Sequence, residues 1–426
     1  MQFKTSKLKN KLNLILAPLA ETQAVTALVL IPVGSRYESP AINGSAHYIE
    51  HLMFKGTQKR PTALDISKEL DGVGANYNAF TGKEYTGYYI KVAAKHLELG
   101  LDILSDMVFN SVFKAEEFER ERGVILEEIK MYEDNPIMYI EDLFEQTLFA
   151  GNPLGWNIAG TAKVFKKITR AQLLTFKQKF YQPQNLTLVL AGQVDGKALK
   201  LAEKYFGAHT NKTGAGKVSD FKSIKIAPTT AAPVAYRQQK VEQVQMAVGF
   251  PSFKHGDERN YALNLLAVIL GGNMSSRLFI KVRERNGLAY HIHCETNTFR
   301  DIGEFSVRAG IGKNNVVKAL DLICAEFGEV LKNGVTAHEL SRAKEFLKGK
   351  ITLSLEDSAN IAEWCGQQWI YDNKILTPEQ KMAKYNAVTL ADIAKAAKAI
   401  LKPEKITLAL IGSGQKPENL KKSLRF

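Results

Sequence analysis

Two long stretches of the chain run through the same succession of patterns. Each begins with a strand, Thr26–Val33 in the first and Val244–Phe250 in the second. A helical pattern follows at Ser45–Lys55 and Arg259–Leu270, and strand material returns at Gly87–Val92 and Glu304–Arg308. Next comes an amphipathic helix, near His96–Val108 and Asn315–Leu331. Its apolar residues recur at helical spacing: Leu97, Leu101, Leu104 and Val108 in one copy, Val316, Leu320 and Ile323 in the other. Phe113-Lys-Ala-Glu-Glu-Phe-Glu-Arg then aligns with Val335-Thr-Ala-His-Glu-Leu-Ser-Arg, each entering a long helix through a capping-type turn. A duplicated α+β unit satisfies this order, and 426 residues suffice for two cores. In each half the alternation suits one sheet covered by helices better than a doubly wound parallel fold.

Turn formers and small residues concentrate between the halves, in His209-Thr-Asn-Lys-Thr-Gly-Ala-Gly-Lys and Pro228-Thr-Thr-Ala-Ala-Pro233. We therefore read an N-terminal domain at 1–208, a connector at 209–233 and a C-terminal domain at 234–426. With 45% hydrophobic and 24% charged residues, the composition belongs to a globular protein and excludes disorder. The net charge of +13 reads as a well-solvated surface, because no dense Lys/Arg block carries interleaved aromatics. A nucleic-acid partner is not expected.

Cys294, Cys324 and Cys365 are odd in number and too widely spaced for a zinc knuckle, which points to a reducing, cytoplasmic setting. Lysines at 4, 7, 9 and 11 before the apolar run Leu12–Ala20 copy the outline of a secretory signal. Asn13 and Pro18 interrupt that run, and it reads as a strand turning at Glu21–Gln23. The longest apolar stretch, Ala24–Val33, is too short to span a bilayer, so no membrane partner is expected either.

The sharpest local feature is His47-Tyr-Ile-Glu50-His51 at the start of the first helix. Residues four apart share a helix face, so both imidazoles project to one side and can hold one Zn²⁺ beside Glu50. This is the inverted zincin arrangement, H-x-x-E-H. A carboxylate at that position can take a proton from water and return it to a leaving amine. A catalytic zinc requires a third protein ligand, and the helix entered at Phe113 offers Glu121, Glu127 and Glu128. Glu121 and Glu128 stand seven apart on one face, with Glu127 about a quarter-turn away. A rival cluster, His291, His293 and Cys294, sets two histidines on one strand face without a glutamate in register.

Here the chain resembles the pitrilysin-type M16 zinc metallopeptidases, which include insulin-degrading enzyme and the mitochondrial processing peptidase. In that family the inverted motif is followed by a helix reading E-R-x-V-I-L-x-E that carries the third ligand. This chain has Glu121-Arg-Gly-Val-Ile-Leu-Glu-Glu128, with 76 residues between His51 and Glu128. The resemblance makes Glu128 the third ligand and Glu121 the supporting acid. Gly44-x-Ala46-His47-Tyr-Ile-Glu-His51-Leu-Met-Phe54-Lys55-Gly56-Thr57 is similar to the family's active-site signature.

Asn76-Tyr-Asn78-Ala79-Phe80-Thr81 is similar to the edge strand that binds substrate backbone in the family, which assigns substrate binding to Asn78, Ala79 and Phe80. An edge strand with unpaired amides can capture an extended peptide in that way. In the second half, Arg283 and Tyr290 match the family's R-x-x-x-x-x-x-Y pair. There the arginine grips a peptide carbonyl and the phenol donates to the oxyanion. The second half lacks the zinc motif, and Lys350 stands where Glu128 has its counterpart.

The resemblance spans both halves. It implies two homologous α+β domains, each a mostly antiparallel sheet covered by helices, forming half of a clamshell. It further implies one Zn²⁺ per chain and endopeptidase activity on extended or unfolded peptides enclosed in a chamber. Family members enclose substrate between two such two-domain units and this chain has the size of one, so the resemblance implies that it pairs. Because it carries both the zinc set and the Arg/Tyr pair, a homodimer supplies every part, with a heterodimer with a paralogue as the alternative. The competing reading is a non-catalytic subunit of an M16 heterodimer.

Overall fold

The structure, a computed structural model, describes residues 2–212, 219–224 and 232–426. The expected connector at 209–233 therefore lies partly outside the described residues. Contacts divide the chain into two compact units. One comprises Met1–Lys130, Trp156–Lys222 and Ile351–Pro378; the other comprises Met131–Gly155, Ser223–Lys350 and Glu379–Phe426.

The first unit is built on strands β1 (Lys4–Lys7), β2 (Asn13–Pro18), β3 (Ala24–Ile31), β4 (Asn76–Thr81), β5 (Thr86–Ala93) and β6 (Thr187–Gly192). They form one sheet in the order β1-β2-β6-β3-β5-β4, antiparallel except for the β2–β6 pair. The second unit has β7 (Val234–Gln238), β8 (Gln243–Ser252), β9 (Ala289–Thr298), β10 (Gly303–Gly312) and β11 (Thr407–Gly412). Its order is β7-β11-β8-β10-β9, antiparallel except for β7–β11. Once β1 is set aside, the two sheets have the same connectivity, which is the duplication read from the sequence. In both, the last strand of the order is a hairpin partner left on the sheet edge.

The helices are α1 (Ser45–Met53), α2 (Ala63–Asp71), α3 (Leu97–Asn110), α4 (Ala115–Asp134), α5 (Pro136–Leu148), α6 (Ala162–Phe165), α7 (Arg170–Phe180) and α8 (Gly196–Tyr205). The second half of the chain adds α9 (Arg259–Gly271), α10 (Val316–Asn333), α11 (Ala337–Ser354), α12 (Ser358–Asp372), α13 (Pro378–Ala387), α14 (Leu390–Ile400) and α15 (Pro417–Ser423). The strand and helix segments read from the pattern fall on β3, β5, β8, β10, α1, α3, α9 and α10, and the two aligned turns lead into α4 and α11.

Both faces of the first sheet are covered, which explains why β3 is apolar throughout rather than alternating. Val25, Ala27, Val29 and Ile31 face a core shared with α1, α3 and α4. Leu28 and Leu30 face a second core built with Ile361, Ala362 and Cys365 of α12. The equivalent layer on the second sheet comes from α5, whose Ile140, Phe144 and Leu148 pack on Ala247, Ala409 and Ile411. Each repeat thus lends a helix to the sheet of the other, so the compact units interleave along the chain. No helix among the described residues is long and apolar enough to cross a membrane.

Candidate metal centre

Helix α1 starts at Gly44, whose φ of 97° is left-handed and whose missing side chain makes room. A Cβ there would lie 2.4 Å from Phe165 Cε2 and 2.6 Å from the Ala159 carbonyl oxygen. Glycine cannot cap a helix with a side chain, and Glu38 does so from six residues upstream. The Glu38 carboxylate, 5% exposed, accepts the Gly44 and Ala46 N–H groups at 2.7 Å each and Asn43 Nδ2 at 3.0 Å. The first turn of α1 is thereby fixed, with His47 in it.

The apolar side of α1, including Tyr48, Ile49 and Leu52, is buried, which turns His47, Glu50 and His51 toward β4 and α4. Tyr48 stacks between Phe118 and Phe165, with ring centroids 4.9 and 5.0 Å away, and its hydroxyl donates to the Phe118 carbonyl. This ties α1 to α4 and sets Glu128 opposite the histidines. Glu128 Oε2 lies 3.4 Å from His51 Nε2 and 3.7 Å from His47 Nε2. The ligand atoms of these three residues are all within 4.8 Å of one another, and no other such group of three occurs among the described residues.

The donor set fits a metal. Ligands at about 2.0–2.1 Å from a tetrahedral zinc are separated by about 3.3 Å, close to what the side chains already show. Glu128 Oε2, which faces both histidines, is buried without a hydrogen-bond partner, a costly arrangement in the absence of a cation. Burial, reinforced by the neighbouring His51, lowers the His47 pKa to about 4, so the ring is neutral as a ligand requires.

Around His51, burial works against the charged ring, but the adjoining carboxylates of Glu121 and Glu128 outweigh it and raise the pKa to about 9. Glu121 is 2% exposed, with Oε2 3.1 Å from His51 Nδ1 and Oε1 2.8 Å from Lys55 Nζ. That contact orients the imidazole with Nε2 toward Glu128, as carboxylates beside metal-bound histidines do. Burial raises the Glu121 pKa, yet His51 and Lys55 overcome it and hold the carboxyl below its ordinary value. Glu127 points away, 73% exposed and paired with Lys130.

Glu50, next to His51 and one turn after His47, has its pKa raised by burial, partly offset by a 2.5 Å hydrogen bond from Thr81 Oγ1 to its Oε2. A carboxylate so held, beside a cation, can exchange protons with water. Thr81 closes β4, which among the described residues pairs only with β5 and has its other edge unpaired. Asn78 is exposed on that strand and its Oδ1 accepts the Ala79 N–H at 2.8 Å, while Phe80 turns to the α12 side.

Arg283 and Tyr290 belong to the second unit. Arg283 lies in a π-helical turn, Phe279–Glu284, with its guanidinium 4.7 Å above the Phe279 ring and 5.5 Å from the Tyr290 centroid. Tyr290, on β9, is 71% exposed. His293 lies 3.9 Å from Glu295, and Cys294 turns to the buried face against Gly271, so the rival cluster is divided between two faces. Sequence reasoning missed Glu38, Lys55 and Thr81. Lys55, four residues after His51 and just past the end of α1, is the one with a readable signal, a cation at helical spacing from the motif.

Comparisons with known proteins agree with this architecture. Residues 14–162 match the family model described as Insulinase (Peptidase family M16), and residues 167–347 match the Peptidase M16 inactive domain. An uncharacterized zinc protease of Streptomyces coelicolor is 37% identical over 409 residues, covering 94% of this chain and 87% of that protein. The uncharacterized zinc protease YmxG of Bacillus subtilis is 34% identical over 410 residues, covering 96% and 98%. In fold, the chain is similar to a protease from Helicobacter pylori, with a TM-score of 0.88 at 24% identity over 96% of this chain and 99% of that one. A Pseudomonas fluorescens structure described as a peptidase M16 inactive domain gives a TM-score of 0.88 at 22% identity over 98% and 100%. With relatives this similar along nearly its whole length, the chain belongs to the M16 peptidase family.

Proposed function

We propose that the protein is a zinc metalloendopeptidase that cleaves extended or unfolded peptides. The observation that carries this reading is the convergence of His47, His51 and Glu128 ligand atoms within 4.8 Å, with Glu50 on the adjoining turn. These three residues would hold one Zn²⁺, which when bound supplies Lewis acidity toward a carbonyl oxygen and lowers the pKa of water. Glu50 then serves as general base toward the attacking water and passes the proton to the leaving amine. Thr81 keeps the Glu50 carboxylate in one orientation, and Glu121 does the same for His51.

Substrate backbone adds to the open edge of β4 at Asn78, Ala79 and Phe80, which selects extended chains over folded ones. Arg283 grips a peptide carbonyl, and Tyr290 donates a hydrogen bond to the developing oxyanion. We further propose that two copies, or one copy and a paralogue, enclose the substrate in a chamber. A cytoplasmic setting fits the three free, buried cysteines.

Metal analysis coupled to turnover of an internally quenched peptide tests the reading. About one zinc per chain is expected, lost in His51→Ala. Glu50→Gln is expected to keep the metal and to lose activity by about 10²-fold or more. A metal-free wild type, or undiminished turnover in Glu50→Gln, rejects it.

A further inference from the structure

The repeat without metal ligands has a cavity of its own against α11, the counterpart of the helix that carries Glu121 and Glu128. In the first unit the centre forms between α1 and α4; the shared connectivity makes α9 and α11 their counterparts. With Phe113 matched to Val335, Ala343 takes the position of Glu121 and Lys350 that of Glu128. Between the end of α9 and the first half of α11 lies a cavity of about 570 Å³, within the range of small-molecule sites. Val268, Ile269, Ala343 and Phe346 give it an apolar wall, and Ser276 and Arg342 supply polar groups.

The two polar groups are poised to donate. Ser276 is 3% exposed and its Oγ has no hydrogen-bond partner, a condition a bound acceptor would relieve. Arg342 Nη2 donates to Ser275 Oγ at 2.5 Å, and Asn273 Oδ1 holds that serine through its hydroxyl at 2.8 Å and its N–H at 3.0 Å. No carboxylate among the described residues pairs with Arg342. Glu339, in the same wall, is committed to Arg277 by two hydrogen bonds of 2.6 and 2.8 Å, and Glu345 at the exposed rim lies 3.9 Å from Lys348.

We propose that this cavity binds a small monocarboxylate with an apolar tail, the tail against Val268, Ile269 and Phe346 and the carboxylate on Arg342 and Ser276. An arginine held by a fixed neighbour and free of acidic partners suits a carboxylate, and a charge-assisted pair gives it selectivity over a neutral group. Two sources share this chemistry, a free apolar amino acid and a simple branched-chain or aromatic acid. The inference does not rest on the peptidase reading, since it concerns the unit without the metal ligands.

Isothermal titration of the full-length protein with 4-methylpentanoate, leucine and 4-methylpentan-1-ol tests it. Saturable binding of 4-methylpentanoate is expected, with the alcohol about tenfold weaker or worse. Leucine binding as tightly as the acid identifies an amino-acid site, and leucine binding more weakly identifies a simple-acid site. Arg342→Gln, at an exposed position that leaves the fold intact, is expected to weaken the acid about tenfold, and Ala343→Phe to abolish its binding by filling the cavity. Circular dichroism checks that Ala343→Phe is folded; if it is not, Arg342→Gln alone decides. Absence of saturable binding by both carboxylates overturns the proposal, as does an alcohol that binds equally well or a carboxylate affinity unchanged in Arg342→Gln.

Discussion

The Glu38 carboxylate accepts the Ala46 N–H at 2.7 Å, so the acid that caps the metal-site helix is not part of that helix. Its other oxygen serves Gly44 and Asn43. Glu38→Ala leaves these donors buried and unpaired, and is expected to cost about 2 kcal/mol or more of stability and to loosen the turn that carries His47. Glu38→Gln, which retains one carbonyl oxygen, should lie between the two. Chemical denaturation together with a chelator competition for zinc measures both effects. A folded Glu38→Ala protein with wild-type metal affinity removes Glu38 from the support of the site.

Glu121 and Glu127 both lie near Glu128 on α4, yet the same substitution should separate them. Glu121 is buried against His51 and Lys55, so Glu121→Gln is expected to lower zinc affinity about ten- to a hundredfold through the orientation of His51. Glu127→Gln, at a surface ion pair, should leave affinity unchanged. Glu128→Gln removes a ligand and should cost more than Glu121→Gln. A reversed order, with Glu127 the most sensitive, contradicts the ligand set.

The parts of this structure that were legible in the sequence are those set by local periodicity. His47 and His51 share a face because four residues make about one helical turn, and β3 reads as a strand because it is a short, almost wholly apolar run rich in Val and Ile. Glu38 was not legible, because an acid before a turn resembles a solvated one, and its partners are backbone N–H groups, which every residue has. Thr81 is similar: nothing in Asn-Ala-Phe-Thr announces a hydrogen bond to Glu50. The amphipathic pattern of α5 shows that Ile140, Phe144 and Leu148 must be covered, but not which sheet covers them. Chain order puts α5 in the first half and α12 in the second, whereas packing groups each with the sheet of the other repeat.

Acid stability of the second unit should depend on Glu339. The paired hydrogen bonds from Arg277 hold its pKa down to about 2 against an ordinary value near 4.5. Its ionised form is therefore favoured by folding, and the stabilisation is fully present above about pH 4.5 and lost as pH falls toward 2. Partial exposure of the pair screens the effect, so the contribution is modest. Glu339→Gln should lower stability at neutral pH and flatten its dependence between pH 4.5 and 2, measured by urea denaturation across that interval. An unaltered slope in the variant shows that the pair contributes nothing to acid unfolding.

Two glycines near the metal site should respond to alanine with opposite sign. At Gly44, φ is 97° and a Cβ would meet the Ala159 carbonyl at 2.6 Å and a Phe165 ring carbon at 2.4 Å. The left-handed backbone alone costs an L-residue about 1–2 kcal/mol, and the contact with a backbone oxygen cannot be relieved by a rotamer change. Gly44→Ala is therefore expected to destabilise the protein by about 2 kcal/mol or more and to weaken zinc binding, since α1 must shift to admit the methyl group. Gly123, inside α4, has an ordinary helical backbone, and a methyl group added there would meet nothing within 4 Å. Gly123→Ala should add about 0.5–1 kcal/mol of stability by restricting the unfolded chain and leave zinc affinity unaltered. Denaturation midpoints and zinc affinities of the two variants decide the point. Equal, small effects at both positions would mean that the start of α1 tolerates displacement, and that His47 is not held by the packing around Gly44.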